Sequence, residues 1–529
     1  MALIDQRRLA TVSALPLAAI LATLGGLSVA LTFGRILSLS VTTFTTQVIA
    51  DDAFYYFGVA YNVVHGYGST FDRIHPTNGY HPLWLIVLLP IYAAVQNKVT
   101  VLYVISVVEL VFFALGLVSA RAAFRRSLSA PGIALWLPVL VLVVTAPVFI
   151  KLVFAGMEAS LYFATLLAAA NAFSFTLAAP ERRNRWTLLG FAFGLSFLSR
   201  IDNAVLAANF VLFLVLVTVR SGGDLRGLIA DRLIPMLAPY VTIVALYFGW
   251  NMLNYRHLLT TSGTAKFGPE LSLETVIGAL FCLGVWGLVM RLGSAPGVDA
   301  ARFAVPFITF PFLYWFLLIS LSNWRATLFK SWYHVPTIVA LLLVAAIVLT
   351  DLSRRPRFSF LSDRARGSLA PALGAVVGLL LVFAGYRVLG WWLTNPSYRP
   401  FDAMATATVW LEDTAQPNDI IAAFDGGRTG YFAVQRTINL DGLANSYGYL
   451  RVVQNRQLYS YLVKQHVRYI INFSNPGKDL IDDRLVPLDP TAPWRSETKA
   501  VYRIELKDPH GGPSRWMEVL EFLPNARKS

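Results

Sequence analysis

Apolar stretches near the length that a helix needs to cross a bilayer, about 20 residues, recur along this chain. They cover approximately residues 12–34, 99–120, 133–150, 157–179, 187–199, 204–219, 233–251, 272–290, 303–321, 335–350 and 369–393. The pattern predicts a polytopic α-helical membrane protein with about 11 transmembrane helices. Residues 82–97 (PLWLIVLLPIYAAVQN) are apolar but short and interrupted by Pro90. They are expected to form a juxtamembrane or re-entrant helix on the outer side. From about residue 394 the runs shorten and Pro, Asn, Asp and Gly enter. A helix near 400–415, strands at 420–424 and 437–440, a helix near 446–466 and strands at 468–473, 500–506 and 517–522 are predicted there. The expected division is a transmembrane part, 1–393, with a long external loop at 35–98, and a small C-terminal α/β extracytoplasmic domain, 394–529.

Arginine gives the helices a direction. With Arg7 and Arg8 in the cytoplasm, alternate loops carry Arg121, Arg125 and Arg126; Arg182, Arg183 and Arg185; Arg220, Arg226 and Arg232; Arg291 and Arg302; and Arg354 to Arg366. All then lie on one side, as the positive-inside rule requires. The remaining loops are external, and all seven histidines fall in them. This assigns a multi-pass cell membrane location, the bacterial inner membrane, with the N-terminus cytoplasmic. Composition agrees: 56% of residues are hydrophobic and 14% charged, against about 45–50% and 25% in soluble domains. The net charge of +14 follows from the loop arginines, and no basic groove with interleaved aromatics suggests nucleic acid. The lone Cys282 leaves no intramolecular disulfide and no cysteine-based metal site.

Candidate chemistry concentrates in DDAFYYFGVAYNVVHGYGSTFDRIHPTNGYHPLW, residues 51–84. Residues 53–65 fit an amphipathic helix with Phe54, Phe57, Tyr61 and Val64 on one face and Asp51, Tyr55 and Asn62 on the other. It is expected to lie on the membrane, with Asp51 and Asp52 at its start. Aspartates there cap a helix; they can also act as a general base for glycosyl transfer to a hydroxyl, or share a divalent cation.

The segment resembles a known family. DD-A-aromatic, then A-x-N-x-x-x-G-x-G, then TNGYHPLW, is similar to polytopic glycosyltransferases of the GT-C superfamily, nearest the bacterial branch with the mycobacterial terminal arabinofuranosyltransferases. GRTGYFAVQRTINLDGLAN, residues 427–445, resembles a pattern in the C-terminal domains of that branch. The loop reads HPTNGYHPLW where the arabinosyl enzymes carry a glutamate before an aromatic and TNPLW. The resemblance implies a polyprenyl-phosphate-linked sugar donor, a glycan, lipid or protein acceptor, transfer at the outer membrane face with inversion, and a catalytic carboxylate at Asp51 or Asp52. It implies no required cofactor; a divalent cation, Mg or Mn, could bind the paired aspartates.

Other external residues fall into two expected groups. Arg200, Arg256, Lys266, Arg325, Lys330 and His334 are candidates for the donor phosphate, since phosphate in a low-dielectric site needs charge-assisted donors. Tyr55, His75, Asn78, Tyr80, His81, Glu158 and Asp202 are candidates for donor or acceptor sugar. Each has a plainer role available: turn residues, interface aromatics, a local Arg200–Asp202 ion pair. DGGR at 425–428 is expected to be a turn. The alternative function is a transporter or flippase of lipid-linked or small polar substrates. Against it, no inverted repeat is evident, and Glu109 is the main carboxylate within a span.

Overall fold

A computed structural model describes residues 2–128, 133–266, 268, 272–294, 302–322, 330–354, 376, 379–380, 382–383, 385–387, 400–507 and 512–523. Arg325, His510 and most of the expected span at 369–393 lie outside the described residues. The chain is a polytopic helical membrane protein with a small C-terminal sheet domain. Among the described residues, seven helices are long and apolar enough to cross a membrane: 18–37, 98–127, 159–177, 201–220, 225–255, 273–293 and 332–350. Two expected spans are helices of only 17 residues, Arg183–Ser199 and Val305–Leu321. A third, 133–150, is broken into Ile133–Val144 and Ala146–Val153. Thr145 leaves the helical region there and Pro147 has no amide to donate. The helix Pro82–Ala94 has 13 residues, about 20 Å at 1.5 Å per residue, against about 30 Å of hydrocarbon.

Lys98–Ser127 packs on Ala159–Leu177, which packs on Arg183–Ser199, which in turn meets Ile234–Tyr255. A second layer joins Leu273–Gly293 to Val305–Leu321 and Val335–Arg354. Outward-facing Leu, Val and Ile on Ile234–Tyr255 and Leu273–Gly293 remain exposed, as lipid-facing surface should.

The sheet domain has strands β1 (Ile420–Ala423), β2 (Arg436–Asn439), β3 (Val467–Phe473), β4 (Thr498–Leu506) and β5 (Arg515–Phe522), in the order β2-β1-β3-β5-β4. The first three are parallel; β5 runs antiparallel to β3 and β4. Alternation sorts the side chains. Ala422, Ile438, Ile470 and Leu520 face helices Tyr447–Gln454 and Leu458–Lys464 with Trp494. Ile421, Ile471 and Val519 face helix Pro400–Thr414. The single helix expected at 446–466 is two, split where Arg456 takes a left-handed φ of 54°. DGGR is more than a turn, since it runs into a short helix, Gly427–Phe432.

The largest departure concerns residues 51–64. They form the predicted helix, Asp51–Val64, but it does not lie on a surface. Nine of its residues, Ala53 to Ala60 and Asn62, are buried. One face packs into the bundle. The face expected to be wet is roofed by the sheet domain: Tyr55 donates to Asp441 at 3.0 Å, and Asp51 accepts from the Gly427 and Arg428 amides, while on the apolar face Phe54 also packs on Tyr431. The amphipathic pattern thus marked two protein contacts.

Candidate active site

Asp52, Tyr55 and Tyr56 stand at i, i+3 and i+4 on the buried helix and therefore share a face. That face lines a cleft of about 390 Å³, its open mouth included, together with Gly79, His81, Met157, Glu158, Arg200, Ser262, Lys266, Trp332, Tyr333 and Leu443. The segments are distant in sequence, and all but Leu443 come from loops that the arginine pattern is expected to place on one side. Leu443 comes from the sheet domain.

Two ion-pair systems organise the cleft. Lys330 Nζ donates to Asp52 Oδ2 at 2.6 Å. Arg200 donates to Glu158 Oε1 at 2.6 Å and to both oxygens of Asp202 at 3.0 and 2.7 Å. The Arg200 guanidinium also lies 4.3 Å from the ring centre of Tyr333, a cation–π contact. Lys266 Nζ donates to the Tyr333 hydroxyl at 3.2 Å. Tyr56 donates to Glu158 Oε2 at 3.1 Å. Ile201 N–H donates to His81 Nδ1 at 3.2 Å, which puts the ring proton of neutral His81 on Nε2, 3.7 Å from Glu158 Oε1. Burial lowers the His81 pKa to about 4, with Arg200 adding to it against the pull of Glu158, so the ring is neutral at physiological pH.

The paired aspartates face different partners. Asp51 accepts the N–H groups of Gly427 and Arg428, each at 2.9 Å, and so clasps the sheet domain. Burial holds its carboxyl well above the ordinary range, against those two hydrogen bonds and with Asp425 adding repulsion. Asp52 looks into the cleft. Burial works to raise it too, but Lys330 and Lys266 outweigh burial and hold it below the ordinary range. Asp51 and Asp52 are thus held by different partners. Among the described residues, no three His, Cys, Asp or Glu side chains gather as a metal site.

The sheet domain meets this region with the carboxyl ends of its parallel strands, where ligand sites of α/β sheets collect. Asp425 follows β1 and Asp441 follows β2. Asp441 accepts from Tyr55 at 3.0 Å and from the Asp425 N–H at 2.7 Å. Both carboxyls are raised, by burial first. Close backbone approach fixes the docking: a Cβ on Gly427 would stand 2.2 Å from the Asp51 carbonyl oxygen, and one on Gly79 would stand 1.8 Å from that of Leu443.

Of the candidates from sequence, Asp52, Tyr55, His81, Glu158, Arg200 and Lys266 line the cleft, and Lys330 and Asp202 join it through their ion pairs. Others hold the scaffold. His75 Nδ1 pairs with Asp72 at 2.7 Å in a tight turn. Asn78 Oδ1 accepts from the Thr261 N–H and the Tyr447 hydroxyl, both at 3.0 Å. Tyr80 shares a hydrogen bond with Ser69 at 2.8 Å. Arg256 is not in the cleft: it ends helix Ile234–Tyr255 with a φ of 60° and is exposed. His334 lies against Trp315, ring centres 5.1 Å apart, and does not line the cleft. Sequence reasoning passed over Tyr56, Asp441 and Leu443. Tyr56 was within reach, being four residues after Asp52 on one helix; the other two depended on how the sheet domain docks.

A family model described as a domain of unknown function (DUF8728) matches residues 393–519. No curated protein matches the sequence. Among solved structures, ArnT from Cupriavidus metallidurans bound to undecaprenyl phosphate is 14% identical, with 96% of this chain and 98% of that chain covered and a TM-score of 0.53. Archaeal oligosaccharyltransferase AglB from Archaeoglobus fulgidus, in complex with an inhibitory peptide and a dolichol-phosphate, is 12% identical, covering 86% of this chain and 69% of that one, with a TM-score of 0.52. The same organism's oligosaccharyltransferase tethered to an acceptor peptide gives 12% identity, 86% and 68% coverage and 0.52. These likenesses establish a shared fold.

Proposed function

We propose that this chain is a glycosyltransferase that moves a sugar from a polyprenyl-phosphate donor to a hydroxyl of a cell-envelope glycan, lipid or protein acceptor at the outer membrane face. The observation that carries the reading is the cleft itself. One ionised carboxylate, Asp52, is gathered with Lys330 and Lys266 beside a saturated Arg200 network at the mouth of a helical bundle. The undecaprenyl phosphate of ArnT and the dolichol-phosphate of AglB support it, being ligands of proteins with this fold. The DD-A-aromatic and TNGYHPLW motifs support a place nearer the mycobacterial arabinofuranosyltransferase branch.

In this reading Asp52 takes the proton of the acceptor hydroxyl. The acceptor oxygen attacks the anomeric carbon as the bond from that carbon to the phosphate oxygen breaks. The electron pair leaves with polyprenyl phosphate, and the anomeric centre inverts. Lys266 and Lys330 balance the leaving phosphate. Arg200 is committed to Glu158 and Asp202 and keeps Glu158 aimed at His81. Asp51 positions the sheet domain rather than reacting. The reading requires no cofactor; a shared Mg or Mn ion at Asp51 and Asp52 would have to displace both sets of partners. It places residues 1–393 in the membrane unit, residues 394–529 outside as the roof over the acceptor path, and the N-terminus in the cytoplasm.

Native mass spectrometry of the detergent-purified protein tests the reading, followed by incubation with synthetic prenyl-phosphate sugars. A co-purifying polyprenyl phosphate or its glycoside, and release of prenyl phosphate on turnover, are expected. A protein that binds none of these and turns over none of the panel overturns it in favour of transport.

A further inference from the structure

We infer that Lys330 is a movable counter-ion that masks Asp52 in the empty cleft and is drawn onto the donor phosphate when donor binds, so that the base is released only in the loaded site. The inference rests on the transferase reading above and deepens it.

Three cations described at this cleft are held differently. Arg200 makes three hydrogen bonds to two carboxylates, and its side chain is 2% exposed. It cannot turn to a new anion without stranding the buried Glu158 and the partly exposed Asp202. Lys266 donates to the Tyr333 hydroxyl at 3.2 Å, and its ammonium has further donors to offer a phosphate. Lys330 is the intermediate case. It pairs with the Asp52 carboxylate, its side chain is 30% exposed, and its ammonium lies 5.5 Å from the ring centre of Trp332 on the cleft wall. A lysine ammonium on four rotatable carbons can redirect its donors with little loss.

Charge balance gives the reason for such a device. A prenyl-phosphate sugar is a phosphodiester with one negative charge, and Asp52 carries another. After transfer Asp52 is neutral and the prenyl phosphate monoester approaches two charges. One unit of negative charge has therefore moved from Asp52 to phosphate. A cation that begins on Asp52 and ends on phosphate is paired at both stages. While it stays on Asp52, a charge-assisted hydrogen bond occupies Oδ2 and opposes proton uptake there. Among the described residues, the titratable groups that line the cleft with Asp52 are Tyr55, Tyr56, His81, Glu158, Arg200, Lys266 and Tyr333; Lys330 pairs with it, and Asp51, Asp425 and Asp441 act on it through their charge. Of these, Lys330 touches its carboxylate.

Proton uptake on binding is the readout. Farnesyl methyl phosphate, a diester that does not itself titrate at mildly acid pH, is bound to the purified protein by calorimetry in buffers of different ionisation enthalpy. The wild type is expected to take up a fraction of a proton per site as Lys330 leaves Asp52. Asp52→Asn abolishes that uptake while still binding the diester. Lys330→Gln binds it several-fold more weakly with reduced uptake, and Lys330→Arg restores part of both. Thermal melts confirm that each variant is folded. If the diester binds but uptake is the same in wild type and Asp52→Asn, or is unchanged in Lys330→Gln, the counter-ion role is overturned and the transferase reading stands. If the wild type binds no diester, the phosphate reading itself falls, and this inference falls with it.

Discussion

The two ends of the helical bundle use the same residue types to opposite effect. At the end assigned to the cytoplasm, Arg183 meets Asp231 with 66% and 52% of those side chains exposed. Arg126 reaches Asn171, and Arg220 reaches the Arg291 carbonyl oxygen and Ser294. These charges sit in water, where partners are optional. At the other end Arg200, Glu158 and Asp52 are withdrawn from solvent, and each has a specific counter-charge. Burial makes pairing obligatory, because an uncompensated buried charge is several kcal/mol more costly than a solvated one. A run of arginines therefore reports topology, whereas one arginine locked between two carboxylates reports a constructed site.

Substitutions sharpen that contrast. Asp52→Asn should lower sugar transfer by about 10²–10⁴-fold, the usual contribution of a general base, with the melting behaviour of the wild type retained. A stable variant with near-normal turnover would break the assignment. Next in size, Arg200→Met strands Glu158 and Asp202 and should cost about 3–5 kcal/mol of stability. Arg183→Met, an exposed arginine at the opposite end, should cost no more than about 1 kcal/mol. Equal losses in thermal or denaturant unfolding would erase the distinction drawn between the two ends. Gly427→Ala drives a methyl group into the Asp51 carbonyl and should weaken docking of the sheet domain by about 1–3 kcal/mol. Faster hydrogen exchange at the amides of residues 427 and 428, with the transmembrane helices unchanged, is the expected signature.

The smallest effect is one of pH. Asp51, Asp425 and Asp441 have raised pKa values in the docked structure, so the docked state binds more protons than the open one. Docking should strengthen as pH falls through those raised values toward the ordinary aspartate range. Asp52, held low by Lys330 and Lys266, contributes in the opposite sense and only below that range. Exchange at residues 427 and 428, corrected for intrinsic rate, should slow between pH 8 and pH 6. Acceleration over that interval would show that the three carboxyls do not govern the contact.

Much of this was legible beforehand. Runs of Leu, Val and Ile located most of the spans, and period-two alternation found the strands near 420, 437, 468, 500 and 517. Asp52, His81, Glu158, Arg200 and Lys266 stood out as polar groups at the mouths of apolar helices, and they meet in one cleft. Arg256 stood out for the same reason and does not belong, because a left-handed residue at the helix end carries its side chain to the surface. His75 and Asn78 stood out too, and they knit the loop to its neighbours, His75 through Tyr461 and Asn78 through Thr261 and Tyr447.

Local pattern determined the helices, the strands and the side of the membrane that each loop was expected to face, since those follow from hydrophobic period and charge along a single segment. It could not distinguish Asp51 from Asp52, which are adjacent, chemically identical and both in the first turn of one helix. Only packing separated them. Successive helical residues point about 100° apart, so one carboxylate enters the cleft beside Lys330 while the other closes on the amides of Gly427 and Arg428, more than 370 residues away along the chain.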